Sequence, residues 1–246
     1  MASTPSTSTN SELRVISGWK RVAWPELRIL PLKLLPEDLP AHIQQASQEI
    51  LRNARIIVEK HKLLPDGNEE DHVNLGMRRQ MPYGARVPSL VVVAPWSPEM
   101  TPVWEEAVHE MAVFLTEFSK TSSIGQGDIH VEIIAPELQQ TLYCTSIDEP
   151  GLSPEDWDEV RDKVYDCLES FDTTKGKMST IALFKYGVLP DPEANPTTIY
   201  ISVFIDSDET GWYEVIAAMK SMLESVGWNH VQIHMEHNEG WNEIFD

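Results

Sequence analysis

The sequence predicts an α+β protein of two tandem ferredoxin-like halves, each running β-α-β-β-α-β. Three observations point there: an internal repeat, four amphipathic helical stripes, and β-branched alternating segments between them. The repeat pairs VVVAPWSPEMTPVWEEAVHEMAVFL, from Val91 to Leu115, with ISVFIDSDETGWYEVIAAMKSML, from Ile201 to Leu223. Ser97 falls on Ser207, Glu99 on Glu209, and Trp104 on Trp212 after a two-residue gap. Past each helix a strand opens on histidine, HVEII from His130 and HVQIH from His230. Upstream, Pro36-Glu37-Asp38-Leu39 matches Pro154-Glu155-Asp156-Trp157.

In chain order, Leu27–Leu32 reads as a first strand. Leu39, Ile43, Ala46, Ile50, Ala54 and Ile57 then advance by three or four, the stripe of an amphipathic helix. Asn74–Met81 and Leu90–Ala94 pair across the loop Pro82-Tyr83-Gly84-Ala85. Trp104, Val108, Met111, Leu115 and Phe118 make the second helix, with Thr101 as its cap and Pro102 in its first turn. The strand at His130 closes the first half, and the boundary falls near Pro136. In the second half, Thr141–Ile147 precedes a helix striped by Trp157, Val160, Val164, Cys167 and Phe171, with Ser153-Pro154 at its start. Ser179–Tyr186 and Thr198–Ile205 form an extended hairpin. Trp212, Val215, Met219, Met222 and Val226 stripe the last helix, before the strand at His230. The expected division is a disordered tail over 1–12, a first half over 13–136 and a second over 137–246.

Alternation along Thr198–Ile205 separates Ile199, Ile201, Val203 and Ile205 from Tyr200, Ser202 and Phe204. The first set suits the helix-covered side of a sheet. The second set, with His230, Gln232, His234 and Glu236, belongs to the open side, and two open faces bearing aromatics are expected to meet as a pseudo-twofold pair or to meet a partner.

With a formal charge of −20, the chain lacks the dense cationic face that nucleic acid requires. The charge is uneven: Leu13 to Arg86 holds 12 Lys and Arg against 9 Asp and Glu, and Val87 to Asp246 holds 7 against 29. No apolar run approaches the length of a membrane span, the first ten residues lack the apolar core of a signal peptide, and two cysteines suit a reducing compartment. The expectation is a cytoplasmic protein, monomer or homodimer, with no cofactor.

The stretch NPTTIYISVFIDSDETGW and the ending VQIHMEHNEG resemble a family of uncharacterised proteins from filamentous fungi. That resemblance covers the C-terminal part of the chain and implies no activity. The tandem plan is also similar to dimeric α+β barrel proteins, whose members include cofactor-independent enzymes acting on small aromatic or polyketide molecules. This second likeness is one of architecture alone.

Four sets of residues carry candidate chemistry. His230, His234 and Glu236 share one face of a strand and hold the ingredients of a metal site or an acid–base pair. Residues four apart on a strand are about 13 Å apart, so His230 and His234 cannot share one ion directly. His234 and Glu236, about 7 Å apart at the backbone, need help from another strand to converge. The plainer reading is a polar edge strand. His130 and His230, as repeat equivalents, approach a common axis if the halves pack symmetrically; the plainer reading is a duplicated strand start. Tyr200, Phe204, Phe184 and Tyr186 line either a small-molecule cavity or a dry interface. Arg78, Arg79 and Arg86 flank a loop tip and are candidates to hold an anion. Nucleotide-binding loops, a hydrolase elbow and a catalytic cysteine are absent from the sequence. The acidic-aromatic ending with Trp241, Ile244 and Phe245 folds back or docks elsewhere. The expected function is non-catalytic binding of a protein or small apolar molecule, through the open sheet faces or the cleft between halves. The alternative is a cofactor-independent enzyme using His130, His230, His234 or Tyr200 as acid–base groups.

Overall fold

The computed structural model describes residues 13–64, 72–80, 84–139, 141–147 and 154–238. The tail 1–12, Pro82, Tyr83, Ser153 and the ending with Trp241, Ile244 and Phe245 lie outside the described residues.

The first half opens with a short hairpin, β1 (Ile16–Gly18) and β2 (Arg21–Trp24), followed by β3 (Leu32–Leu34) and helix α1 (Ala41–Lys60). Strands β4 (Val73–Gln80) and β5 (Arg86–Val93), helix α2 (Thr101–Ser119) and β6 (His130–Ile134) complete it. The second half comprises β7 (Tyr143–Ser146), α3 (Pro154–Glu169), β8 (Met178–Gly187), β9 (Thr197–Val203), α4 (Trp212–Ser225) and β10 (Gln232–His237).

The molecule is α+β, with two separate sheets in the orders β1-β2-β6-β5-β4-β3 and β10-β9-β8-β7. Without the β1–β2 hairpin, each half has one arrangement: four strands in sequential order, the first three antiparallel and the last parallel to its neighbour. Helices α2 and α4 are the crossovers that parallel pairing requires. The expected ferredoxin-like arrangement is therefore corrected. In a split βαβ the strands flanking the first helix are parallel with another strand between them. Here β3 and β4, and likewise β7 and β8, are adjacent and antiparallel.

Both helices of each half cover one face of its sheet. Ile43, Ile50, Ala54 and Ile57 of α1 and Trp104, Val108, Met111 and Leu115 of α2 share a core with Leu90, Val92, Val131 and Ile133. In the second half Val160, Val164 and Leu168 of α3 join Trp212, Val215, Met219 and Leu223 of α4 over Ile199, Ile201 and Val203. Within the helices the stripes follow the periodicity, but Leu39, Phe171 and Val226 fall outside the helix ends, and α2 begins at Thr101 with Met100 as its cap and no side-chain cap bond. Ile205 lies beyond β9 and is exposed.

The β1–β2 hairpin has no counterpart in the sequence reading. It pairs β2 with β6 and turns at Trp19 and Lys20, the latter at φ 58°. Trp19 leaves its own half: it is buried in the core of the second one, with its ring 5.0 Å from Trp96, which packs against both cores. Residues 25–31 then carry the chain from β2 to β3 at the far edge, across the sheet face that the helices leave open.

Candidate functional site

Strand β10 runs parallel to β9, with His234 beside Tyr200 and Glu236 beside Ser202. Alternation puts His234, Glu236 and Tyr200 on the face away from α3 and α4, with Tyr186 and Phe184 of β8. His234 Nε2 lies 2.9 Å from Glu236 Oε2, and the Tyr200 hydroxyl donates to Glu236 Oε1 at 2.5 Å. The Tyr186 ring is 4.8 Å from the His234 ring, and the Tyr200 ring lies nearly parallel to that imidazole at 6.0 Å. The neighbouring strand thus supplies the convergence that two residues on one strand lack.

Burial pushes the Glu236 carboxyl up, but the hydrogen bond and charge of His234 and the Tyr200 hydroxyl outweigh it, so its pKa sits below the ordinary value. Burial, followed by the Glu236 charge, raises the pKa of both Tyr186 and Tyr200. At neutral pH this cluster presents an ionised carboxylate and two protonated phenols.

His234 and Glu236 line a cavity of about 180 Å³ between the halves. Trp19, Leu30 and Pro31 wall it from the first half; Leu138, Leu142 and Trp212 wall it from beyond β6. Its carboxylates already have partners. Glu137 is bound by Lys20, Glu209 by Arg21, and Glu236 by His234 and Tyr200. An apolar space with a few fixed polar groups at its margin is the usual make-up of a small-molecule site.

The wall at Glu209 is locked into the first half. Arg21 Nε and Nη2 donate to the two Glu209 oxygens, and Arg21 Nη1 donates to Glu132 Oε1 at 2.9 Å. Arg78 Nη1 donates to the other Glu132 oxygen at 2.6 Å. Burial raises the Glu132 pKa on its own, yet Arg21 and Arg78 bring it below the ordinary value. This buried chain was not read from the sequence; the repeated Glu209 was its one visible signal. The two repeat copies use their shared residues differently. Trp212 Nε1 donates to Ser207 Oγ, and Ser207 Oγ donates to the Thr173 carbonyl. Trp104 Nε1 is buried with no partner among the described residues, and Glu99 is exposed.

The other candidates do not converge. His130 is buried on the open face of the first sheet, with Nε2 2.9 Å from the Glu26 carbonyl. His230 lies before β10, exposed beside Trp228, so it joins neither His130 nor His234 and Glu236. Among the described residues, no three His, Cys, Asp or Glu side chains are arranged to hold a metal ion. Phe204 stands past the end of β9, half exposed, apart from the strand-borne set of Phe184, Tyr186 and Tyr200. Arg78 and Arg79 are consecutive on β4 and face opposite ways; Arg79 is opposite Arg86, which pairs with Glu37. Arg78 is bound to Glu132, on the face away from Arg79 and Arg86.

No protein-family model matches this chain, and a comparison with curated proteins finds no match. Among the described residues, no helix is long and apolar enough to cross a membrane.

Proposed function

We propose that the protein binds a small apolar or aromatic molecule, without transforming it, in the cleft between its two halves. The observation that carries this reading is the cavity of about 180 Å³ with apolar walls drawn from both halves. An apolar cavity of about 150 Å³ holds a benzene-sized molecule, so one ring is the natural measure of the ligand. His234 at the margin suits a ligand bearing one hydroxyl or carbonyl. Phenol is the probe: calorimetric titration is expected to give a Kd of about 0.1–1 mM. Leu138→Trp, which fills the space, abolishes binding while leaving the fold intact. Phenol binding that survives Leu138→Trp, or none to the wild type, overturns the reading.

A second reading, acid–base catalysis on such a molecule, draws on the His234–Glu236–Tyr200 cluster. An ionised carboxylate that orients an imidazole is a common way to prepare a general base. Turnover that disappears in His234→Ala, with binding retained, is its signature. The shared strand order of the halves further supports descent from one duplicated βαββαβ unit, and the two cysteines support a cytoplasmic location.

A further inference from the structure

The open face of the six-stranded sheet buries more positive charge than it pairs. Arg21, Arg78, His130 and Glu132 are each at most 2% exposed there, and Arg28, on the segment crossing above them, is 8% exposed. Glu132 divides its two oxygens between Arg21 and Arg78, and Glu209 takes the other edge of Arg21. Arg28 has no carboxylate within ion-pair distance among the described residues. Its Nη2 donates to the Ala85 carbonyl at 2.8 Å, and its Nη1 is buried with no partner among the described residues. His130 shows the same defect: Nε2 is held by the Glu26 carbonyl, and Nδ1 is buried with no partner among the described residues. The Arg28 charge acts on the His130 ring, which puts the two residues in one neighbourhood.

We propose that Arg28 and His130 hold one small anion, a chloride or a carboxylate group, beneath the segment 25–31. A bridging water would meet the hydrogen-bonding needs of both atoms but would leave the Arg28 charge without a direct ion pair, offset only at longer range by Glu26 and Glu132, and a buried charge without a direct partner is the costlier defect. The Glu26 carbonyl can only accept, so Nε2 carries a hydrogen, and Nδ1 of the neutral ring is a lone pair. Holding an anion therefore requires His130 to take up a proton at Nδ1. The groups facing it are Glu132 on its own strand, Arg78 on β4, and Glu26 and Arg28 on the crossing segment. Burial and the two arginines disfavour that proton, while Glu132 and the Glu26 carbonyl favour it. Anion binding and protonation consequently reinforce each other. The site is separate from the cleft and does not depend on what the cleft binds.

The test is the thermal midpoint of the full chain in sodium chloride, sodium formate or sodium gluconate at constant ionic strength, gluconate being too bulky to enter. The expected result is a saturating rise in chloride or formate at about pH 6, with apparent affinity falling by about tenfold per pH unit above the His130 pKa. The tighter of the two identifies the anion class. Arg28→Met is expected to abolish the response and to raise the midpoint in gluconate, because it removes an unpaired cation. His130→Gln keeps a weak response that no longer varies with pH. Equal midpoints in all three salts, or a response that persists in Arg28→Met, overturns the proposal; a lowered gluconate midpoint in Arg28→Met assigns the space to water.

Discussion

Arg21 of β2 grips Glu209 of the turn before α4 at two points, Nε to Oε1 at 2.8 Å and Nη2 to Oε2 at 2.5 Å. Both residues are buried, and they belong to different halves of the chain. The bond is also a wall of the cleft, since Glu209 lines the cavity. It ties the position of that wall to Glu132 and Arg78 in the first sheet.

Breaking this pair leaves a buried guanidinium short of one carboxylate. Glu209→Gln is expected to cost about 3–5 kcal/mol in urea unfolding. Arg21→Met costs at least as much, because it strips a partner from both Glu209 and Glu132. A double-mutant cycle on the two yields a large coupling; additive losses show that the pair does not act as a unit.

Gly18 is small for the same reason. A Cβ there would collide with the Glu209 carboxylate and with Leu27. Gly18→Ala therefore destabilises by roughly 1–3 kcal/mol, within the range of overpacked sites. In a Glu209→Ala background, which removes the colliding carboxylate, part of that loss persists through Leu27.

Trp19 anchors the β1–β2 hairpin in the other half's core. Trp19→Ala is expected to cost about 3–5 kcal/mol and to separate one unfolding transition into two. Calorimetry distinguishes this from simple loss of stability, which lowers the midpoint without splitting the peak.

The acid limb of stability reports on the carboxylates. Glu132 and Glu236 have folded-state pKa values below their ordinary ones, so their contribution is present above the unfolded value of about 4 and is lost as pH falls through the folded values. Tyr200→Phe takes a hydrogen-bond donor from Glu236, which raises the folded pKa and shrinks that contribution. On the alkaline side, two of the six tyrosines, Tyr186 and Tyr200, remain protonated after ordinary tyrosines have ionised near pH 10. Absorbance titration of Tyr186→Phe and Tyr200→Phe assigns the late phase.

Much of the helical plan was legible because burial repeats every three or four residues. Ile43, Ile50, Ala54 and Ile57 read as one stripe and form one face of α1. Strand pairing was not legible, since periodicity says which face a residue takes but not which strand lies beside it. The β1–β2 hairpin was missed because its strands are three and four residues long and its turn uses Trp19 and Lys20 in place of the usual Asn or Gly. The repeat misled in one respect. Aligning Ser97 with Ser207 sets Val91 on Ile201, yet Val91 faces away from the helices and Ile201 faces them. The turn is matched, and the strand is out of step by one residue, which reverses every face. His130 and His230 differ for another reason: His130 opens β6, whereas His230 lies before β10 begins, two residues short of the equivalent position, Gln232. In the site, His234 and Glu236 were visible from alternation on β10. Tyr200 completes the cluster only through the parallel register, which no local pattern encodes.

The central claim is that the cleft holds a small molecule, and native mass spectrometry of gently purified protein tests it most directly. The account predicts a reproducible non-covalent organic adduct on the wild type that is missing from Leu138→Trp. A bare 27.9 kDa chain in both, with phenol failing to add mass to either, would contradict it.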